Sequence, residues 1–317
     1  MASQPVPMTT KAIPRNLPFI LAIGILSVSA SAIFIRYAQA EGVPSLLIAA
    51  ARLVIATIVL TPPVIRHHLP QVRSLQTKDL LLALLGGVFL AIHFIAWVTS
   101  LEYTSVMVSV VIVTTSPIWV AVLEGIFLRV LPSRQVTIGL LVAIGGGLLI
   151  GMGGTSSSAP IQANRELIGG LLSLIGAIAV AVYLVIGRKL RATLPIIPYI
   201  WLVYGFGGIV LTAILVLTQT PIVGYTPVAY LLLLAMALFP QLIGHSSLNY
   251  AVGYLSATFV GLLTQLEPIG SALLAFLLFG EVPQPVQIVG SAIILGGVIL
   301  ATLARTSSDK QKREPST

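Results

Sequence analysis

The sequence predicts an all-α integral membrane protein: ten transmembrane helices arranged as two inverted five-helix repeats. Three observations carry this reading. Of the 317 residues, 57% are hydrophobic and only 8% are charged, against about 25% charged in soluble domains. Apolar runs recur along the whole length, and about 18 consecutive apolar residues suffice for a span. The chain also matches itself at an offset of 151 residues, the mark of a duplicated unit. A transmembrane barrel would instead alternate polar and apolar residues over segments of about ten, and no such segments appear.

The ten apolar segments run over 18–37, 44–65, 79–101, 105–128, 134–153, 166–187, 197–218, 227–250, 256–279 and 285–304. Each is long enough for about 30 Å of hydrocarbon at about 1.5 Å per residue. A polar tail with Lys11 and Arg15 precedes the first. Ser29-Ala30-Ser31 would pass as a signal-peptide cleavage region, but the repeat requires this helix, so it is read as retained. Connections are short except 66–78 and 154–165, and the second of these (TSSSAPIQANR) reads as a flexible linker. The expected organisation is a tail over 1–16, a first repeat over 17–153, an external linker over 154–165, a second repeat over 166–305 and a basic tail over 306–317.

With an even number of spans, both termini share one side. That side holds 14 of the Lys and Arg residues, whereas the other holds only Arg36 and Arg165. Positive loops stay inside, so both termini are expected in the cytoplasm of a cell carrying this protein in its plasma or inner membrane.

The gapless alignment of 93–150 with 244–301 pairs Tyr103 with Tyr254, Ser105 with Ser256, Pro117 with Pro268 and Pro132 with Pro283. It also pairs Gly139 with Gly290 and Gly145-Gly146 with Gly296-Gly297. Five spans per repeat is an odd number, so the second repeat enters from the opposite side. The stretch 264–281 (TQLEPIGSALLAFLLFGE) carries Glu267 and Pro268 near its middle. A carboxylate at that depth costs about 2.5–3.5 kcal/mol on insertion scales, so it should face a protein interior or a wet cavity. Pro268 and its mate Pro117 are expected as hinges, because proline removes a helix hydrogen bond and bends the backbone. Interrupted helices at matching positions of inverted repeats point to a secondary transporter with its site at the repeat interface.

FIRYAQAEGVPSLLIAAARLVIATIVL and LEPIGSALLAFLLFGEVPQPVQIVGSAIILGGVIL resemble the opening and closing signatures of the drug/metabolite transporter superfamily, EamA type. SLEYTS followed by TTSPIWVAVLEGIFL looks like the matching part of the first half. The resemblance covers nearly the whole chain. It implies ten helices in two inverted repeats, a central cavity walled mainly by helices 1, 3, 4, 6, 8 and 9, and transport of small metabolites, often export of amino acids. The chain departs from the pattern at Arg129-Val130, where the second repeat has Gly280-Glu281, and at SVSASA in the first helix, where many relatives carry Trp-Gly.

Glu267 is the leading candidate for proton coupling or for binding a cationic group; a structural acid serving the broken backbone is the plainer reading. His93 and Trp97 lie one turn apart on one helix face and form a candidate binding wall, against a packing histidine with an interfacial tryptophan. Gln241, His245 and Asn249 recur every four residues in a span expected to break at Pro240 and Gly244. A polar stripe in lipid should face inward. Arg36, Arg52 and Glu102 are expected near the outer side as a gate, with Arg52 snorkelling or pairing with Glu102. Glu124 is expected to pair with Arg129. Tyr183, Tyr199 and Tyr204 are belt residues or cavity walls. The glycines of spans five and ten are assigned to helix packing, with a dimer seam as the alternative.

There is no cysteine, so no disulfide or thiolate chemistry operates. The net charge of +8 sits in loops and tails, which points away from nucleic acid. No GxxxxGK[ST], GxSxG or HExxH is present, and no cofactor or metal is expected; His67-His68 reads as solvated. The expectation is a monomeric or weakly dimeric exporter of a small polar metabolite, with protons as the candidate coupling ion. The alternatives are a membrane enzyme acting on lipid-linked substrates, which would need acids or histidines clustered at a membrane face, and a passive channel.

Overall fold

Lipid offers no partner for backbone N–H and C=O groups, so apolar segments crossing it close their hydrogen bonds within helices. In the computed structural model, which describes residues 12–104, 106–153, 163–279 and 284–311, ten helical segments form and no strand occurs among the described residues. They are α1 (Leu17–Ala40), α2 (Ser45–Arg73), α3 (Thr77–Tyr103), α4 (Val106–Val113 and Ser116–Leu128), α5 (Arg134–Gly153), α6 (Ala163–Arg191), α7 (Ile196–Leu217), α8 (Pro227–Val252), α9 (Ala257–Thr264 and Glu267–Phe279) and α10 (Pro285–Gln311). Eight have the length and hydropathy of a full span, and α5 and the second part of α4 are shorter apolar helices. Their outward faces carry Phe19, Ile58, Phe127 and Leu217, all exposed, as lipid-facing residues should be.

Several boundaries differ from expectation. Most of the expected loop 66–78 is helical, since α2 continues through a π-helical turn at Val64–His68 to Arg73. The expected basic tail begins inside α10, which runs on to Gln311. Residues 1–11, 154–162, 280–283 and 312–317 lie outside the described residues, and with them Lys11, most of the linker, Gly280-Glu281, Pro283 and the chain end. Ser105 also lies outside them.

The inverted symmetry is visible in side-by-side contacts. α5 and α10 cross in opposite directions through their glycines. A Cβ at Gly139 would stand 2.5 Å from the Gly297 carbonyl oxygen, and one at Gly146 2.6 Å from that of Gly290. Because Gly290 and Gly297 are the repeat mates of Gly139 and Gly146, swapping the repeats maps each contact onto the other. The neighbouring mates Gly145 and Gly296 meet nothing within 4 Å, so packing within the chain accounts for only some of these glycines.

α4 breaks at Thr114-Thr115 and α9 at Gln265-Leu266, again mates. Pro117 and Pro268 therefore occupy the first turn of the second half-helix in each case. Proline is well tolerated there because that N–H has no helical partner in any residue. The prolines start half-helices rather than kink continuous ones, which corrects the expected hinge geometry. The two breaks touch: Gln265 Nε2 donates to the Thr114 carbonyl at 2.7 Å, satisfying a group the interruption frees.

Span eight does not break either. Around Pro240, residues Ala237–His245 form a π-helical stretch, which absorbs the missing N–H by widening the turn. Gly244 in that stretch lies against Val28 of α1, and Gly24 of α1 lies against Ser247, so α1 and α8 approach closely.

Candidate functional site

The two helix breaks, the π-helical stretch of α8 and the middle of α3 surround one cavity. α3 is an uninterrupted helix of 27 residues, and the four-residue spacing puts His93 and Trp97 on one face. Their rings stack 6.0 Å apart at 12°. His93 Nδ1 lies 2.9 Å from the Gly176 carbonyl of α6. A carbonyl only accepts, so Nδ1 carries a proton and Nε2 is the ring nitrogen left for other partners. From α8, the His245 ring stands 6.5 Å from His93 and edge-on to Phe94 at 5.1 Å. Asn249 Nδ2 donates to the His245 carbonyl at 2.8 Å and to Tyr204 Oη at 3.3 Å.

Glu267 begins the second half of α9, where a helix N-terminus favours a negative side chain. It lines the cavity together with His93, Trp97, Tyr183, His245 and Asn249. The cavity volume is about 60 Å³, room for about two waters at roughly 30 Å³ each. Trp97 Nε1, Tyr183 Oη and Asn249 Oδ1 are buried at this wall without a hydrogen-bond partner in the protein. Buried polar groups rarely stay unpaired, so two donors and an acceptor are left for water or a solute. A second small cavity, lined by Val110, Pro268 and Ser271, adjoins the first in the direction where α4 begins.

Five of the candidates thus meet: Glu267, His93, Trp97, His245 and Asn249. Gln241 does not join them. The wider π-helical turn rotates it away, and its Oε1 accepts from Arg52 Nε at 3.0 Å. Arg52 is the larger correction. It is fully buried, donates to Ser31 Oγ at 3.3 Å and lies 3.8 Å over the Phe94 ring. The ring face and the Gln241 and Ser31 oxygens replace part of the water it would find by snorkelling, while Nη2 has no hydrogen-bond partner in the protein. The Glu102 carboxylate instead accepts from Ser45 Oγ, so Arg52 and Glu102 do not pair; Arg36 and Glu102 are exposed. Pro117 packs on the α9 glycine Gly261.

Two further positions are decided by the contacts they make. Of the three tyrosines read as belt residues or cavity walls, Tyr183 lines the cavity. Glu124 does not reach Arg129; it is buried and accepts from the start of α9. The signal was present in the depth of an acid near a span end, but its partner lies 133 residues away.

A sequence profile described as the EamA-like transporter family matches residues 17–152 and 167–303. YdfC of Bacillus subtilis (strain 168), an uncharacterized transporter, is 24% identical over 76% of this chain and 78% of its own. An uncharacterized transporter of Clostridium kluyveri is 24% identical over 81% and 84%, and YetK of B. subtilis, also an uncharacterized transporter, is 22% identical over 90% and 86%. A solved crystal structure superposes with a TM-score of 0.74 at 19% identity, over 92% of this chain and 98% of that one, a likeness of fold.

Proposed function

Because this chain belongs to the EamA-like transporter family, we propose that its substrate is a small polar metabolite, bound in the cavity at the two helix breaks and moved by alternating access of the two repeats. The observation that carries this reading is convergence. Both repeats and both interruptions meet at one cavity, and unpaired polar atoms from α3, α6 and α8 face it beside the Glu267 carboxylate. A site at a repeat interface near mid-depth is what rocking repeats can expose to either side in turn.

Glu267 is the group proposed to bind a proton or a cationic part of the solute. Among the described residues it is the one acid lining this cavity, and a carboxylate that can be neutralised crosses between states without an uncompensated charge. His93, Trp97, His245 and Asn249 are proposed as solute contacts. The 14-to-2 division of Lys and Arg favours cytoplasmic termini in a cell membrane, with net movement outward as the proposed direction. The division into a first repeat over 17–153 and a second over 166–305, joined by an external linker over 154–165, is part of the proposal. A passive pore is disfavoured by packing, since Val120, Ala257 and Val260 at one end of the cavity are fully buried.

The test is a thermal-shift screen of purified protein against amino acids, amines, nucleosides and sugars, followed by proteoliposome uptake of each hit. A ligand raises the melting point of the state it binds. Stabilisation that survives Trp97→Phe combined with Asn249→Ala would place the binding elsewhere.

A further inference from the structure

We propose that Glu124 is a latch holding one end of the transport path shut, and that the lack of a counterpart in the second repeat biases the protein toward that closure. The proposal rests on the alternating-access reading above and goes beyond it.

Glu124 opens the last, π-helical turn of α4 (Glu124–Leu128) and is 2% exposed. Its carboxylate accepts from the Ala257 N–H at 2.8 Å, the Thr258 N–H at 2.9 Å and the Thr258 hydroxyl at 2.5 Å. Ser256 Oγ takes the next N–H, that of Phe259, at 3.2 Å. The first N–H groups of a helix have no partner within it and carry partial positive charge. At α9 two of them are satisfied by an acid from the other repeat rather than by the local chain. The bonds therefore join α4 to α9, repeat mates that must separate at this end when the repeats rock.

The surroundings fit a closed end. Val120, one turn before Glu124, is fully buried. Arg188 Nη1 donates to the Val252 carbonyl at 2.8 Å and Arg191 Nε to that of Asn249 at 3.3 Å, tying the end of α6 to the end of α8. The open volume runs the other way, into the second cavity beside Val110 and Ser271.

The asymmetry is in the sequence. The repeat mate of Glu124 is Ala275, which has no carboxylate to offer the start of α4. The buried carboxylate tie from α4 to the start of α9 thus has no copy at the mate position. Opening the latched end strips a buried carboxylate of three hydrogen bonds, while across the other end the repeats are joined by the exposed contacts of Thr226 Oγ1 with Glu41 and of Arg165 Nη2 with the Glu102 carbonyl, which solvent weakens. By the Lys and Arg distribution the latched end is cytoplasmic, so the resting protein is closed to the cytoplasm until binding offsets the loss.

The chain has no cysteine, which makes single thiol probes clean. Val120→Cys reports on the latched end, and Ala32→Cys, at the second cavity, on the other. Each is placed in the parent, in Glu124→Ala and in the milder Thr258→Val, and reaction with a water-soluble maleimide is timed in purified protein whose melting curve shows it folded. Glu124→Ala should speed reaction at position 120 at least tenfold and slow it at position 32 at least twofold. Thr258→Val should move both in the same directions by less, and it carries the test if Glu124→Ala does not fold. An unchanged rate at position 120 overturns the latch, and faster reaction at both positions means general loosening and overturns it too. A rise at 120 with no change at 32 overturns the alternating-access reading and, with it, the proposed bias.

Discussion

Replacing Gly146 by alanine tests the crossing of α5 and α10 against its own neighbour. The added Cβ would stand 2.6 Å from the Gly290 carbonyl oxygen and 2.9 Å from Ile294 N, both backbone atoms on a packed helix. Reaching an ordinary C···O contact of about 3.3 Å requires about 0.7 Å of local separation. Forcing a methyl into a packed interface costs about 1–3 kcal/mol. Gly→Ala in a helix interior returns up to about 1 kcal/mol, but that term is shared with Gly145→Ala one residue earlier. At Gly145 the new methyl meets nothing within 4 Å. The difference between the two variants therefore isolates the crossing, and about 1–3 kcal/mol corresponds to roughly a 5- to 150-fold ratio of unfolding constants. Reversible unfolding in mixed detergent micelles measures it. Gly146→Ala should be the less stable, and Gly145→Ala as stable as the parent or more so. Adding Gly297→Ala to Gly146→Ala should cost less than the sum of the two, because the helices have already been parted. Equal effects at 145 and 146 would refute the α5–α10 geometry and the symmetry argument drawn from it.

Glu267→Gln should fold, since it keeps the side-chain shape, and should abolish the response of proteoliposome uptake to an imposed pH gradient while leaving solute exchange in place; a full response in the Gln variant would remove Glu267 from coupling. Trp97→Phe keeps the ring but deletes the unpaired Nε1–H, so the affinity of an identified ligand should fall by about two- to tenfold, the range of one hydrogen bond of about 0.5–1.5 kcal/mol, with the melting point of the free protein nearly unchanged. Labelling in intact cells should reach Val223→Cys, exposed after α7, from outside and Ser74→Cys, exposed after α2, only after permeabilisation; the reverse pattern would invert the assigned topology.

The architecture was legible because its causes are local or periodic. Eighteen or more apolar residues in a row force a helix in lipid wherever the chain carries them. Matching prolines and glycines at one offset recorded the duplication, and the odd helix count per repeat supplied the inversion. The depths of Glu267, His93 and Trp97 marked them as interior, and they do meet. The same arguments failed where partner choice mattered. A lone cation in lipid seeks water, which refers Arg52 to the outer side; Phe94, Gln241 and Ser31 instead hold it inside, with only Nη2 left without a partner in the protein. Pro240 read as a break because proline cannot donate, yet a π-helical turn absorbs the defect and turns Gln241 from the cavity toward Arg52.

The sequence by itself determined how many helices there are, that they pair as mates and which acid lies at mid-depth. Hydropathy, proline chemistry and repetition act along the chain and need no knowledge of neighbours. Only the tertiary structure decided that Glu124 serves α9 rather than Arg129, that Tyr183 faces the cavity, and that Gly146 touches another helix while Gly145 does not. Those outcomes depend on helix rotation and crossing, where about 100° per residue turns adjacent positions from a buried contact to open space. That rotation is set by how all ten helices pack together.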